Sequence, residues 1–261
     1  FMRRPTFKAV RNESGGDIAS MIVQLRRPEV RAAILAEPDD APDGTLYEGI
    51  ADFAQHGAAI IFPMDGLDHE PTHERSIAGL AAAAGVTDME MMYDRMLDRD
   101  GRALLMAGIN NYAGSGLDGV YDMLTHPASV VGLSDAGAHS NLLCDASMPT
   151  SMLVHWVRDR TRGPRLSLEA AVRMQTHETA SLYRLGDRGT LEVGKRADVN
   201  VIDLEHLRLF EPEVVHDLPA GGGRLVQRAS GYRATIVAGT ITRRDDTDTG
   251  ARPGRLVRGP R

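Results

Sequence analysis

The sequence predicts an α/β protein with parallel strands over residues 1–185 and an all-β segment over residues 186–261. Two observations support this prediction. In the middle of the chain, short apolar runs alternate with helical patterns, as they do in βα units. After Gly186 the chain changes to short β runs separated by Gly, Pro and Asp,.

The first 45 residues have helical patterns and no strand pattern. Residues 16–26 place Ile18 and Ile22 on one helical face,. Pro28 suits the first turn of a second helix, which should end before Pro38,. We interpret this part as a helical insertion at the start of the first domain.

Buried strands are predicted at residues 58–63 and 130–134,. Between them, one helix should end at Gly85 and the next should begin with a capping box formed by Thr87 and Glu90,. A short helix is expected over residues 117–124. Further helices are expected at 149–160, after a cap at Ser167, and after a second cap at Thr176,.

The all-β segment contains four short β runs, at residues 197–204, 225–229, 232–237 and 240–242. Ala238 and Gly239 lie between the last two runs and have the length of a hairpin turn,. We therefore expect the end of the chain to form a small all-β domain, followed by an arginine-containing arm.

Composition limits the classes of partner. The formal charge of −6 argues against nucleic-acid binding, which requires a basic surface,. No apolar stretch approaches the ~18 residues that span a bilayer,. The single cysteine, Cys144, excludes an internal disulfide and fits a reducing compartment,. We expect a cytoplasmic protein with no nucleic-acid or membrane partner.

The most informative feature is Asp135, at the end of the apolar run 130–134, with a Gly-rich turn and His139 after it. A buried strand would present this carboxylate at its C-terminal end, where the active sites of (β/α) barrels lie. His139 is a candidate for substrate binding or for holding Asp135 in place. Asp135 could otherwise form an Asx-type turn, and His139 could bind only backbone.

The same region contains a second catalytic pattern. Residues 132–136 approach G-x-S-x-G, so Ser134 is a candidate nucleophile of a serine hydrolase, with a later histidine as its base,. Residues 69–73 match H-E-x-x-H, but Pro71 is incompatible with the continuous helix that a zinc protease needs. Residues 114–119 match G-x-G-x-x-G without a strand immediately before them, so a dinucleotide site is not predicted.

Two long runs resemble the D-aminoacylase, or N-acyl-D-amino-acid deacylase, group of the amidohydrolase superfamily. They are GLSDAGAHSNLLCDASMPTSMLVHWVRDRTRG, beginning at Gly132, and DRGTLEVGKRADVNVIDLEHLRL, beginning at Asp187. The resemblance implies a metal-dependent (β/α)8 barrel with a small β-sandwich beside it. It also implies that Asp135 is a zinc ligand and the catalytic carboxylate in the hydrolysis of an N-acyl amide bond.

The chain departs from that group in its histidines. The group has an H-x-H pair on the first barrel strand, and no two of the nine histidines here have that spacing. We therefore expect the C-terminal part of a barrel, with one or two Zn²⁺ ions held mostly by residues outside this chain, and no activity by itself. It should form a homo-oligomer or associate with the missing N-terminal half. A non-catalytic structural or assembly role is the alternative from another class.

Overall fold

A computed structural model of the chain describes residues 1–40, 53, 56–112, 116–132, 134 and 142–257. By its internal contacts the chain divides into two units, Phe1–Leu117 and Asp118–Arg261. Both units contain helices and strands. The domain boundary predicted at residues 185–186 rests on a change of pattern rather than on contacts, and it stays a prediction.

The first unit begins with three helices, α1 (Pro5–Glu13), α2 (Ile18–Leu25) and α3 (Pro28–Ala36). The helices predicted from residues 16–26 and from Pro28 are confirmed, whereas α1 was not predicted. The three helices bury apolar side chains in one cluster, whose buried members are Phe7, Val10, Ile22, Leu25, Ile34 and Tyr93. The hydroxyl of Tyr93 donates to the carbonyl of Leu25 at 2.7 Å, and burial raises the pKa of Tyr93 to about 12.

The strand predicted at residues 58–63 is shorter than expected and pairs in the opposite sense. A 3-10 turn, Ala58–Ile60, precedes β1 (Ile61–Pro63), which pairs antiparallel with β2 (Leu105–Ala107). The expectation of parallel pairing is therefore wrong for this strand. Two full helices and a four-residue helical turn, Asp98–Gly101, rather than one helix, separate β1 from β2. The chain therefore returns to the sheet in the opposite direction to that of a βα unit.

Those two helices are α4 (Ile77–Ala84) and α5 (Asp88–Met96). The predicted C-cap is confirmed, because Gly85 adopts the left-handed conformation with φ of 69°,. The predicted capping box is also confirmed. Thr87 accepts from the backbone N–H of Glu90, and the Glu90 carboxylate accepts from the backbone N–H of Thr87,.

The second unit contains α6 (Asp118–Thr125), α7 (residues 148–159) and α8 (residues 168–182). The end of α7, Met152–Asp159, and the middle of α8, Met174–Glu178, are π-helical. Ser167 caps α8 as predicted, since its hydroxyl accepts from the N–H of Ala170 at 3.1 Å. Thr176 is not a cap, because the helix continues through it and its hydroxyl donates to the carbonyl of Val172.

The strand predicted at residues 130–134 does not form in the part of it that the structure describes. Val130, Val131, Gly132 and Ser134 have no regular secondary structure, and Leu133 lies outside the described residues. A buried strand needs a neighbour to satisfy its backbone N–H and C=O groups. Among the described strands, none pairs with this run.

The end of the second unit is β structure, as predicted, and its strands pair antiparallel. Its principal sheet has the order β10 (Thr247–Asp248), β9 (Thr240–Arg244), β8 (Tyr232–Val237), β3 (Val199–Ile202). Four short strands form two further pairs, β4 (Arg208–Leu209) with β7 (Ala229–Ser230), and β5 (Glu213–Val215) with β6 (Arg224–Val226). The predicted hairpin is confirmed, because Ala238 and Gly239 have φ of 50° and 78° and join β8 to β9,.

Arg160, directly after α7, is a buried cation in the second unit. Its side chain is 0% exposed, and its guanidinium lies 4.8 Å from the ring centre of Trp156. One terminal nitrogen donates to Oδ1 of Asp118 at 2.7 Å, and the other donates to the carbonyl of Pro164 at 2.7 Å. Arg160 thus joins the start of α6, the end of α7 and the turn that leads to α8.

That turn has space for glycine alone at Gly163. Its φ is 128°, and a Cβ there would lie 2.4 Å from Oδ1 of Asp118 and 2.8 Å from Nη2 of Arg160. Both distances are far below van der Waals contact. The Arg160–Asp118 ion pair therefore occupies the volume that any side chain at position 163 would need.

Replacing Arg160 by methionine should lower the free energy of unfolding by about 2–3 kcal/mol. Removing one member of a buried ion pair typically costs more than this. Here the side chain of Asp118 is 75% exposed, so water can solvate the carboxylate that is left behind. Urea unfolding can be followed by the fluorescence of Trp156, the single tryptophan of the sequence.

The matched control is Arg228→Met, because Arg228 also pairs with a carboxylate, Glu213, but its side chain is 69% exposed. Exposed ion pairs contribute little, so this variant should unfold at almost the wild-type urea concentration. Equal losses in the two variants would contradict the structural role assigned to Arg160.

Replacing Thr87 by alanine should destabilise α5 by about 1 kcal/mol, the usual cost of losing an N-cap. Hydrogen exchange of the α5 amides measures the effect, and Thr72→Ala is the control because Thr72 precedes a 3-10 turn without a side-chain cap bond. Hydrogen bonds from Thr87 lower the pKa of Glu90. The part of the stabilisation that the Glu90 carboxylate contributes should therefore be complete above the ordinary glutamate pKa of ~4.3, and it should be lost as the pH falls through the lowered pKa of Glu90. Equal exchange rates in the two variants would rule out the cap.

Candidate functional site

The two residues predicted for the catalytic site, Asp135 and His139, lie outside the described residues. Their roles stay predictions. Ser134 is described, is half-buried and has no regular secondary structure. Within the described part of the chain, no hydrogen bond joins Ser134 to a histidine. The serine-hydrolase alternative gains no support from this geometry.

The described chain resumes at Leu142 and leads through a 3-10 turn, Asp145–Ser147, into α7. Two side-chain contacts fix the start of this helix to the β structure of the same unit. The hydroxyl of Ser147 donates to the amide oxygen of Gln227. The hydroxyl of Thr150, a residue only 6% exposed, lies 2.7 Å from the hydroxyl of Tyr232. The start of α7 is therefore held against residues of the β structure by two side-chain contacts.

The other end of α7 is held by Arg158. Its Nη1 lies 2.6 Å from the carbonyl oxygen of Leu204 and 2.7 Å from that of Leu207. Its Nε and Nη2 donate to the two carboxylate oxygens of Asp159 at 2.6 and 2.8 Å, and this hydrogen bonding raises the pKa of Arg158. A permanently charged fork thus connects the end of α7 to the turn between β3 and β4.

The middle of α7 is buried and contains an ionisable residue. His155 is 8% exposed, and its ring packs edge-to-face on Trp156 with 5.3 Å between the ring centres. His155 is one of the histidines that follow Ser134 in the sequence. No pattern in the sequence predicted that His155 would be buried on the helix that follows Asp135.

The H-E-x-x-H match is confirmed as a loop. Residues 69–72 are not helical. Glu70 is 5% exposed, and its Oε1 accepts from the backbone N–H of Leu117 at 2.8 Å. The hydroxyl of Tyr112 donates to the carbonyl of Pro71. Through these bonds, Glu70 and Pro71 hold the chain that follows β2, which is a structural role.

Cys144 shows no activation. Burial, followed by the nearby charge of Asp145, raises the pKa of the Cys144 thiol. A raised pKa keeps the sulfur protonated at neutral pH, and the thiolate is the reactive form. The environment of Cys144 therefore does not favour a role as a nucleophile.

Among the residues that the structure describes, no group of three or more His, Cys, Asp or Glu side chains is arranged to hold a metal ion. The described residues alone therefore do not fit a complete metal centre. No helix among them is both long and apolar enough to cross a bilayer.

A surface cleft in the second unit was missed by the sequence analysis. Its volume is about 420 Å³, and it lies between the turn after α6 and one face of α8. His126 and His177 both line it. They are far apart in sequence and belong to no motif, so only the fold brings them to one cleft.

Comparison with known proteins identifies relatives that are much longer than this chain. S-triazine hydrolase of Gordonia rubripertincta is 30% identical over 140 residues, which are 52% of this chain and 28% of that protein. Uncharacterised proteins of Mycobacterium tuberculosis and Mycobacterium bovis are 32% identical over 177 residues, 64% of this chain and 28% of each protein. No solved structure matches the chain.

The family comparison covers most of the chain. Residues 1–243 match the amidohydrolase family, and this match includes the region around Asp135, helices α7 and α8 and most of the β structure. A match of that extent does not depend on one short motif. The chain belongs to the amidohydrolase family.

Proposed function

We propose that this chain is the C-terminal part of a zinc-dependent amidohydrolase that hydrolyses the amide bond of an N-acyl-D-amino acid or a similar amide. The observation that supports this most is the family match over residues 1–243. The runs that begin at Gly132 and Asp187 favour the D-aminoacylase group within the family. Because the matched relatives are much longer, the activity belongs to the complete gene product.

The fold proposed for that protein is a (β/α)8 barrel with a small β-sandwich beside it. The family implies a metal-dependent barrel of this kind. The antiparallel sheet formed by β3, β8, β9 and β10 would supply strands of the sandwich. The 130–134 run would become a barrel strand only when neighbouring strands satisfy its backbone groups.

Asp135 is the residue to which we assign the chemistry. A carboxylate at this position would take a proton from the attacking water and return it to the departing amine. The metal ion, when bound, supplies the activated water. His139 would contact the substrate or hold the Asp135 carboxylate in place. The contacts of Ser147 and Thr150 would support the loop that carries both residues.

The 261-residue chain is expected to be inactive by itself. The described residues contain no group of three metal-binding side chains. Asp135 would provide one ligand, and the others would come from residues outside the described part. We also propose that the protein acts on a small-molecule substrate and has no nucleic-acid or membrane partner. We propose further that the chain associates with itself or with the rest of the barrel, and that the protein is cytoplasmic.

The relative from Gordonia suggests a second substrate class. Its name states that it hydrolyses s-triazines, and that protein is 30% identical to this chain over 140 residues. Hydrolysis of a triazine and of an N-acyl amide both require a water molecule to attack a carbon bonded to nitrogen. An s-triazine therefore belongs in the first panel of test substrates beside N-acyl-D- and N-acyl-L-amino acids.

Replacing Asp135 by asparagine in the complete gene product should lower kcat by about 10³-fold or more, because asparagine cannot accept the proton. The panel above, supplied with Zn²⁺, measures the effect. Ser134→Ala is the matched control at the adjacent position and should keep nearly full activity. If Asp135→Asn stays active and Ser134→Ala does not, the serine-hydrolase alternative replaces this proposal.

The same assay tests the isolated chain. The 261 residues alone should show no turnover with Zn²⁺, whereas the complete gene product should. Amide hydrolysis by the purified chain alone would contradict the proposal that the other metal ligands lie elsewhere. Absence of hydrolysis by the complete gene product on every substrate of the panel would favour the structural or assembly role instead.

A further inference from the structure

The cleft beside α8 is lined by described residues to which the proposed function assigns no role, so an inference about it goes beyond that function. We propose that it binds a small aliphatic carboxylate. Its volume of about 420 Å³ falls within the ~300–1,000 Å³ usual for small-molecule sites,. All of its lining residues belong to the second unit.

One wall of the cleft is the face of α8 that contains the π-helical segment Met174–Glu178. Such segments are rare in proteins overall, but those that occur are often found at functional sites. In a π-helix, residues five apart lie side by side. Arg173 and Glu178 are five apart, and Nε of Arg173 lies 2.9 Å from Oε1 of Glu178. The hydroxyl of Thr179 donates to the carbonyl of Met174 at 2.8 Å and stabilises this geometry.

The opposite wall is the turn after α6, which contains His126. Nδ1 of His126 accepts from the backbone N–H of Ala128 at 3.1 Å. A nitrogen that accepts from an amide carries no proton, so the proton of the neutral ring is on Nε2. His126 therefore offers a donor from Nε2. The turn is held further by the N–H of Ser129, which donates to the carbonyl of His126 at 2.9 Å.

The polar lining favours an acceptor as the ligand. Arg173 forms an ion pair with Glu178 through Nε, and among the described residues no hydrogen bond of the Arg173 guanidinium is found. Arg173 and His126 line two walls of one cleft, and each carries N–H groups that can donate,. A carboxylate accepts from such donors, and charge-assisted bonds of this kind are the stronger ones.

The apolar lining favours an aliphatic body on that acceptor. Five apolar side chains contribute to the cleft: Leu124, Pro127, Val130, Met174 and Leu182. Leu182 is 60% exposed and Val130 is 42% exposed, so burying them under a hydrocarbon chain would be favourable,. An inorganic anion would leave this surface in water. A metal ion does not fit, since the described residues offer no group of three ligating side chains.

The test is photolabelling of the complete gene product with an alkanoate that carries a diazirine, followed by peptide mapping. Labels should appear within residues 124–130 and 173–182. Excess hexanoate should suppress them at least fivefold more effectively than the same concentration of 1-hexanol. Labelling confined to other peptides, or equal suppression by hexanol, would overturn the proposal.

Variants decide whether the charges of the cleft are responsible. Arg173→Gln and His126→Ala should each reduce labelling about fivefold, whereas Arg255→Gln, at an exposed site outside the cleft, should not. Glu178→Gln should increase labelling, because it removes the negative charge beside Arg173. A general loss of structure would lower labelling in that variant, so a decrease would count against the site.

The outcome is separable from the proposed catalysis. Asp135→Asn should abolish hydrolysis and leave the labelling of the cleft unchanged. If that variant also lost the label at residues 124–130 and 173–182, the carboxylate probe would be reporting the catalytic centre, and the separate site would be wrong.

Discussion

The second unit depends on one buried cation. Arg160 is the point at which the start of α6, the end of α7 and the turn before α8 meet, and its guanidinium has a partner in each. A guanidinium cannot lose its charge at physiological pH, so it must keep donors satisfied once it leaves water. The three segments are therefore placed by the geometry of a single planar group. The wall of the cleft on α8 follows these segments in the chain.

Helix α7 is held in place at both of its ends. Its end is fixed by Arg158 and Arg160, and its start is fixed by Ser147 and Thr150. Between these ends it buries apolar side chains and His155. A helix held at both ends gives the preceding segment a fixed end point. Such support is what an active-site loop needs, because catalytic groups must be held within fractions of an ångström.

Local chemistry explains which elements could be predicted. Gly85, the Thr87–Glu90 pair, Ser167 and the Ala238–Gly239 turn act through contacts a few residues away in sequence, and each was found from the pattern alone. Long-range choices were not accessible. The antiparallel partner of β1 depends on two intervening helices, and the π-helical segments carry no breaker residue that would mark them.

The candidate sites differ in the same way. Asp135 was predicted because its neighbours form a long recognisable run, whereas the cleft joins His126 to α8 through folding alone. His69 and Glu70 belong to a segment that matches a motif in sequence but not in structure. Pro71 was sufficient to predict that this segment forms a loop. In this chain, the sequence predicted the role of a residue only where that role depends on residues that are close to it in sequence.

Gly163 has a consequence for the interpretation of mutational scans. It is exposed and lies in a turn, yet every replacement with a Cβ must displace the Arg160–Asp118 ion pair. A scan that scores only enzymatic output would rank this glycine with active-site positions. Measuring protein abundance beside activity would separate the two cases, since loss at Gly163 would follow the amount of folded chain.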